Sequence, residues 1–448
     1  MKKQIMNKKL VFLAFLLFFV FIQSKAFSQE ILTKKEAVKS VLDNNFGIKI
    51  AENNVEIAEN NKGILNSGYL PTLTTNMGWD FSLQDRLAEI DGRDPLDQND
   101  LETQRYNANL DLNYTLFDGM GRIYNYEQLK LQYNLSQLEA RETIENTLIQ
   151  MFSVYYELAR RLKNVEVLET TLTLSKERLQ RVEYQFDYGQ INKLAVLNAE
   201  VDVANDSINL IDEQQNLVNT KRDLLVVINE ELTEKFVVDT TVTFTPLLQI
   251  EQFIEEAEQN NVSVQIIEEN LLISDYDKKL SFTGYLPRLD LFGSYGWNRN
   301  ISPESPFFPG STQTTKGYSA GVSLSWNLFD GGQTSVRIQN AKVAYESQQI
   351  QKELIKQNVN RDIKNAFENY KNRLYIYKLQ KKNVTTNKNN FDRTQEQFNI
   401  GQVNSVEFRQ AQLNLLNAQT SYNLAKYDAK LAEVQLLQLT GQLLNTEF

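Results

Sequence analysis

The rhythm of polar and apolar positions changes several times along the chain. Over about 71–83, Leu73, Thr75, Met77, Trp79, Phe81 and Leu83 alternate with Thr74, Asn76, Gly78, Asp80 and Ser82. The same period of two runs over 106–116, where Tyr106, Ala108, Leu110, Leu112, Tyr114 and Leu116 oppose Asn107, Asn109, Asp111, Asn113 and Thr115. It returns over 288–299 with Leu289, Leu291, Tyr295 and Trp297, and over 317–328 with Tyr318, Ala320, Val322, Leu324 and Trp326. Such alternation predicts four strands, each with one apolar face. Elsewhere the period is seven. Ile144, Met151, Leu158, Val165, Leu172, Leu179 and Phe186 form one row, and Ile363, Tyr370, Tyr377, Val384, Phe391 and Phe398 another. Leu197, Ala204, Ile211, Val218 and Leu225, then Val406, Leu413, Thr420, Tyr427 and Val434, continue the pattern after each row. Sevenfold apolar spacing predicts coiled-coil packing of long helices.

The chain also repeats itself. Gly68-Tyr69-Leu70-Pro71 returns as Gly284-Tyr285-Leu286-Pro287, an offset of 216 residues. Leu116-Phe117-Asp118-Gly119 returns as Leu328-Phe329-Asp330-Gly331, and Gln185-Phe186-Asp187-Tyr188-Gly189-Gln190 matches Gln397-Phe398-Asn399-Ile400-Gly401-Gln402, both at an offset of 212. Three landmarks in one order mark an internal tandem repeat. Its halves span 29–245 and 246–448 after a short leader. Each half predicts a helix (Lys34 to Ser67; Glu251 to Thr283), two strands, a long helix and a returning helix. Gly68 and Gly284 stop the first helix, and Pro71 and Pro287 prevent its resumption. Asp118 and Asp330 suit the amino end of the long helix. All 7 prolines avoid the stretch from Gly119 to Thr245 and everything after Pro309. The 68 residues from Gly119 to Phe186 can therefore run unbroken for roughly 100 Å at ~1.5 Å per residue. End to end, the short and returning helices make a second column of similar height. Asp85 to Glu102 is rich in acid and Ile301 to Thr315 in Ser, Thr and Pro, which predicts exposed loops between paired strands.

Strands of about 11 residues suit a tilted membrane crossing. An open sheet edge cannot face hydrocarbon, because unpaired backbone groups there cost several kcal/mol each. Four strands are too few to close a barrel, whose usual minimum is about eight. Several chains must therefore share one barrel: two give 8 strands, three give 12, four give 16. The fold class expected is an α+β membrane channel, with four strands per chain in an oligomeric β-barrel and coiled-coil helices continuing its wall as a tube.

The amino end supports export. Lys2, Lys3, Lys8 and Lys9 precede an apolar run from Leu10 to Ile22, and Ala26-Phe27-Ser28 offers a cleavage site before Gln29. This predicts a signal peptide over 1–28, with a core too short for a comfortable membrane span. No cysteine follows the site to carry a lipid. Composition then narrows the chemistry. With no cysteine and no histidine, the chain has no thiolate or imidazole nucleophile, base or metal ligand, so no enzyme, cofactor or metal site is expected. Its 47 Lys and Arg against 57 Asp and Glu leave −10, which argues against nucleic acid as a partner.

The signal peptide, the tandem repeat, the G-Y-L-P and F-D-G turns and the F-x-x-G turn between long helices resemble the TolC family of outer-membrane efflux proteins. That resemblance implies a homotrimer with a 12-stranded barrel in outer-membrane lipid and a periplasmic α-helical tunnel. It implies a channel-tunnel for tripartite efflux or type I secretion, opened by a periplasmic adaptor and an inner-membrane pump. Adaptor contact falls on Tyr188, Gly189, Gln190, Ile400, Gly401 and Gln402, of which the glycines alone match the family fully. The acidic constriction falls on Glu407 and Gln410, with Ala195 and Asn198 as first-repeat counterparts. The family's polar closing latch falls on Phe398 and Val403, which do not carry it, and packing of Phe186 and Phe398 is expected to take its place. Two other readings stay open on the residues alone: a soluble periplasmic coiled-coil scaffold, whose strands would be soluble, and a carboxylate-dependent envelope hydrolase, which would need paired acids.

Overall fold

The computed structural model of the chain describes residues 31–89, 91–92, 94–231, 236–304 and 309–446. The expected signal peptide, part of the linker after Leu232, and Phe448 lie outside the described residues. In chain order the elements are β1 (Ile31–Leu32), α1 (Lys34–Asn44), α2 (Phe46–Asn61), β2 (Thr72–Ala88), β3 (Leu96–Phe117), α3 (Gly121–Asp187) and α4 (Lys193–Ile228). The second half gives β4 (Val237–Val238), α5 (Leu247–Asn260), α6 (Val262–Phe282), β5 (Arg288–Ser302), β6 (Ser311–Ser325), α7 (Gln333–Asn399) and α8 (Ser405–Leu439). Among the described residues no helix is long and apolar enough to cross a membrane.

The four long strands form one antiparallel sheet in the order β2-β3-β5-β6. Register places like with like across strands. Leu73 pairs with Leu112 and Trp79 with Tyr106 on one face; Asn76 pairs with Asn109, and Asp111 with Ser294, on the other. On the polar face Ser294 Oγ donates to Asp111 at 2.6 Å and Thr115 Oγ1 to Asp290 at 2.7 Å. Phe292 breaks the alternation: it sits between Asp290 and Ser294, and its ring lies where a side chain at Gly321 would be. The strands extend further than the apolar alternation foretells. β2 and β3 run on through most of Asp85 to Glu102, and β5 and β6 reach to Ser302 and from Ser311. Backbone pairing needs no apolar side chains, so a hairpin solvated on both faces stays paired where the alternation has faded. Trp326 lies one residue past β6, with its indole N–H donating to the Tyr285 carbonyl at 3.1 Å.

The helix expected over Lys34 to Ser67 is two helices, and so is its copy. Asn45 and Asn261 are in extended backbone, and their side-chain oxygens accept from the first amides of α2 and α6. The same two residues tie the columns together. Asn45 Nδ2 donates to the Val227 carbonyl at 2.9 Å, and Asn229, in the left-handed region, donates to that of Asn44 at 3.1 Å. In the second half Asn261 Nδ2 donates to the Leu439 carbonyl at 2.8 Å. Gly441 stands where Asn229 does; at φ +69°, any side chain there would meet the Asn260 carbonyl. Each return helix is thus capped by the break in its repeat's short helix.

The core lies at this junction. Phe152, Tyr155, Tyr156, Tyr427 and Tyr370 are buried in one cluster, with Phe152 and Tyr156 stacked at 5.9 Å. The inter-repeat linker wraps it. β1 pairs in parallel with β4, and Tyr155 Oη donates to the Leu32 carbonyl at 2.8 Å while accepting from the Asp239 amide at 3.1 Å. Buried Glu433 accepts from Thr245 Oγ1 and Lys430 Nζ, both at 2.8 Å. Arg141 closes the other side: it pairs with buried Glu145 at 2.8 Å and donates to the Asn260 and Gly441 carbonyls, each at 3.1 Å. Burial pushes the Glu145 carboxyl above the usual range, against the pull of Arg141.

Candidate functional site at the hairpin tips

At the end of each long hairpin the chain reverses through a glycine. Gly189 and Gly401 have φ of +71° and +78°, in the left-handed region where a Cβ costs roughly 1–2 kcal/mol. Gln190 N–H returns to the Gln185 carbonyl and Gln402 N–H to that of Gln397, both at 2.8 Å, so the two turns end their helices alike. Asn192 and Asn404 then cap the return helices. In the second repeat the cap is reciprocal. Asn404 Oδ1 accepts from Glu407 N–H at 2.9 Å, and the Glu407 carboxylate accepts from Asn404 N–H at 3.0 Å. Glu407, expected at a constriction, is therefore also the third residue of a capping box. It remains exposed.

Several positions that the family resemblance marked do come together. Ala195, Asn198, Phe398, Val403 and Glu407 line one cleft of about 660 Å³ between the two turns. Gln410 is not among its lining residues; its amide donates to Asn414 at 2.9 Å on the exposed face of α8. Tyr188 and Ile400, which flank the glycines, are 81% and 69% exposed. The tips thus present apolar side chains to their surroundings.

The two tip phenylalanines differ. Phe398 is 5% exposed, stacked on Phe408 at 4.7 Å, with Phe391 against Phe408 at 5.5 Å and the Arg181 guanidinium 5.1 Å above its ring. Phe186 is 37% exposed and stands outside this cluster, with Lys193 Nζ 5.5 Å from its ring. The structure of one chain does not bring Phe186 and Phe398 together.

What joins the two hairpins is polar, and sequence reasoning missed it. Arg409 of α8 grips Asp206 of α4 with both terminal nitrogens, at 2.7 and 2.8 Å. Ser175 of α3 donates to the same carboxylate at 2.6 Å, and Gln412 Nε2 donates to Ser175 Oγ and to the Thr171 carbonyl, each at 2.9 Å. Arg178 pairs with Asp202 and reaches the Ser405 carbonyl at 3.3 Å. Ser175, Arg178, Asp206 and Gln412 are all buried. Nearer the tip, Arg181 donates to Asn399 Oδ1 at 2.7 Å. Because Arg181 lies six residues before the end of α3 and Asn399 ends α7, the first hairpin projects roughly 9 Å beyond the second at ~1.5 Å per residue. No single-helix pattern announces this cluster. Asp202 and Asp206, one turn apart on α4, read as a solvated acidic face until another helix covers them.

Comparison with known proteins adds the family. Residues 37–230 and 253–442 match the family described as outer membrane efflux protein. Outer membrane protein TolC of Vibrio cholerae is 22% identical over 303 residues, covering 67% of this chain and 69% of that protein. Outer membrane efflux protein BepC of Brucella suis is 21% identical over 436 residues, 97% of this chain and 91% of its own length. The crystal structure of the CmeC outer membrane channel of Campylobacter jejuni superposes with a TM-score of 0.75 at 16% identity, over 92% of this chain and 86% of that one. That of VceC of Vibrio cholerae gives 0.72 at 13%, over 91% and 96%. At these identities the structural likeness speaks for the fold.

Proposed function

The chain belongs to the outer membrane efflux protein family, and on that premise we propose that three copies close one barrel and one tunnel to form the exit duct of a tripartite pump. The four-stranded sheet carries this reading, because its edge strands β2 and β6 have no partner among the described residues. Pairing β6 of one copy with β2 of the next removes every edge, and three copies of four strands give 12, within the known range of even-numbered barrels. Leu73, Met77 and Trp79, exposed on the single chain, then face lipid, and the Asn76, Asp111 and Asp290 face lines a wet lumen. A soluble scaffold would have to bury those side chains, and nothing among the described residues covers them.

The helices carry the duct into the periplasm, and the tips meet the other components. A periplasmic adaptor is the partner assigned to the turns Tyr188-Gly189-Gln190 and Ile400-Gly401-Gln402, with an inner-membrane pump behind it. Glu407 from three copies forms a carboxylate ring at the narrow end. Such a ring attracts cations and binds polyvalent ones. The test is Glu407→Gln in planar bilayers. Glutamine still completes a capping box, so the substitution removes the charge and keeps the helix start. The expected result is weaker cation selectivity and weaker block by polyvalent cations. Unchanged selectivity and block would reduce Glu407 to its capping role.

A further inference from the structure

Resting on the channel reading, we propose that Arg299 and Lys316 form a site on the lipid-facing wall of the sheet for an outer-leaflet lipid whose headgroup carries a phosphate monoester. Both side chains continue the apolar face outward. On β5 that face ends in Tyr295, Trp297 and then Arg299; on β6 it ends in Ala320, Tyr318 and then Lys316. Two adjacent strands thus exchange apolar for cationic at one height. Arg299 is eleven residues along β5 from Arg288, and Lys316 nine along β6 from Ser325. At ~3.3 Å per residue and a tilt of ~40°, both stand roughly 25 Å from the helix end of the sheet. The lipid-facing band of a barrel is about 25 Å tall, and an aromatic girdle marks its rim. Here Trp297 pairs with Lys316 and Tyr106 with Arg299, and Tyr106 stacks on Trp79 at 6.4 Å. The two cations therefore sit at headgroup depth.

On the lumen face, arginines meet acid. Arg288 pairs with Asp290 at 2.8 Å, and Arg105 stands opposite Asp80. Arg299 and Lys316 are exposed, and neither has a hydrogen-bond or ion-pair partner among the described residues. Closing the barrel supplies no acid either, because β2 of the next copy carries Trp79, Phe81 and Leu83 on this face. Glu102, on the same face of β3, stands further out and accepts from the Gln104 amide. Diagonal neighbours on paired strands lie roughly 7–8 Å apart, so one phosphate can reach both side chains. Arginine offers phosphate oxygens a fork, and lysine a mobile point charge. Two cations match the nearly double negative charge of a phosphate monoester, where a diester carries a single one.

The experiment is native mass spectrometry of the full chain in a mild detergent. It is titrated with phosphatidic acid, with diacylglycerol of the same acyl chains, and with inorganic phosphate. Wild type is compared with Arg299→Gln/Lys316→Gln, Lys316→Gln and Arg105→Gln. The expected result is phosphatidic acid retained on wild type and on Arg105→Gln, with a several-fold loss on the double variant. Lys316→Gln should show a smaller loss, and it carries the test if the double variant does not assemble. Diacylglycerol should be retained weakly and equally by all. Equal retention of phosphatidic acid by wild type and the substituted chains would overturn the site. An equal loss on Arg105→Gln would also overturn it, by reducing the effect to net charge. So would displacement of phosphatidic acid by an equal concentration of inorganic phosphate, because the ligand would then be the free ion. Each of these results leaves the channel reading standing so long as wild type conducts ions in planar bilayers. Absence of that conduction would remove the channel reading, and the lipid-facing wall with it.

Discussion

The two 67-residue helices α3 and α7 descend from one repeat unit, yet they meet opposite environments. α3 has 16 buried residues and α7 has 5. The return helices show the reverse, with 7 buried positions in α4 and 14 in α8. Packing explains it. α3 lies against α4 and α8, and α8 against α7, so the order across the chain is α4-α3-α8-α7. The inner pair is finished by the chain itself. The outer pair keeps apolar rows that stay exposed among the described residues: Leu194, Leu197, Val201, Ile208 and Ile211 on α4, and Val336, Val343 and Ile350 on α7. Both rows keep heptad spacing. Duplication thus built a unit that is complete at its centre and open at both edges, in the helices as in the sheet.

The sharpest way to break this contrast is to truncate one side chain on each side of it. Phe152→Ala, at the heart of the inner core, should cost about 3–5 kcal/mol and lower the thermal midpoint at every protein concentration. A small change would mean that the junction is not the core. Next in size is the lipid face. Leu112→Arg should cost roughly 2–4 kcal/mol per chain near the bilayer midplane, and Asn109→Arg little. The assay is the folded fraction recovered in lipid vesicles, and equal recovery would contradict the assignment of faces. On the outer edge, Ile208→Ala removes carbon groups worth ~0.8 kcal/mol each when buried, so about 2 kcal/mol per contact between copies. The loss should appear as oligomer dissociation on dilution, and an effect independent of concentration would place Ile208 in the chain's own core.

Much of this was legible from residue order. The three landmarks located both repeats, and the alternation from Leu73 to Leu83 and from Tyr106 to Leu116 gave the faces of the sheet. The missed features share a cause: each depends on what lies across from a residue. Asn45 and Asn261 interrupt helices whose apolar spacing continues past them, and the reason is a carbonyl at the end of another helix. The outer halves of β2 and β3 are charged, so no periodicity marks them as strands. Arg178, Asp206 and Gln412 look solvated on their own helices and become buried only when three helices register. The Asn404-x-x-Glu407 capping signal was present in plain residues, but the carboxylate was read for its charge alone.

The smallest expected effect concerns Glu145, whose carboxyl is pushed up by burial. Glu145 titrates above the model-peptide value of roughly 4.3, so its neutral form is the one folding favours. Its contribution to stability is therefore greatest below that value and declines as pH rises through the raised folded value. Glu145→Gln should match the wild type at acid pH and exceed it near neutrality, by about 1 kcal/mol or less. Thermal midpoints between pH 4 and 7 would show it, and a variant that falls below the wild type as pH rises would reverse the assignment.

The account stands on open edges that other copies are proposed to fill. Native mass spectrometry of the full chain from a mild detergent, combined with bilayer recording of the same sample, tests this most directly. The prediction is particles of three chains that conduct ions, with conductance lost when they dissociate. Single-chain particles that conduct would contradict it, because four strands cannot close a pore.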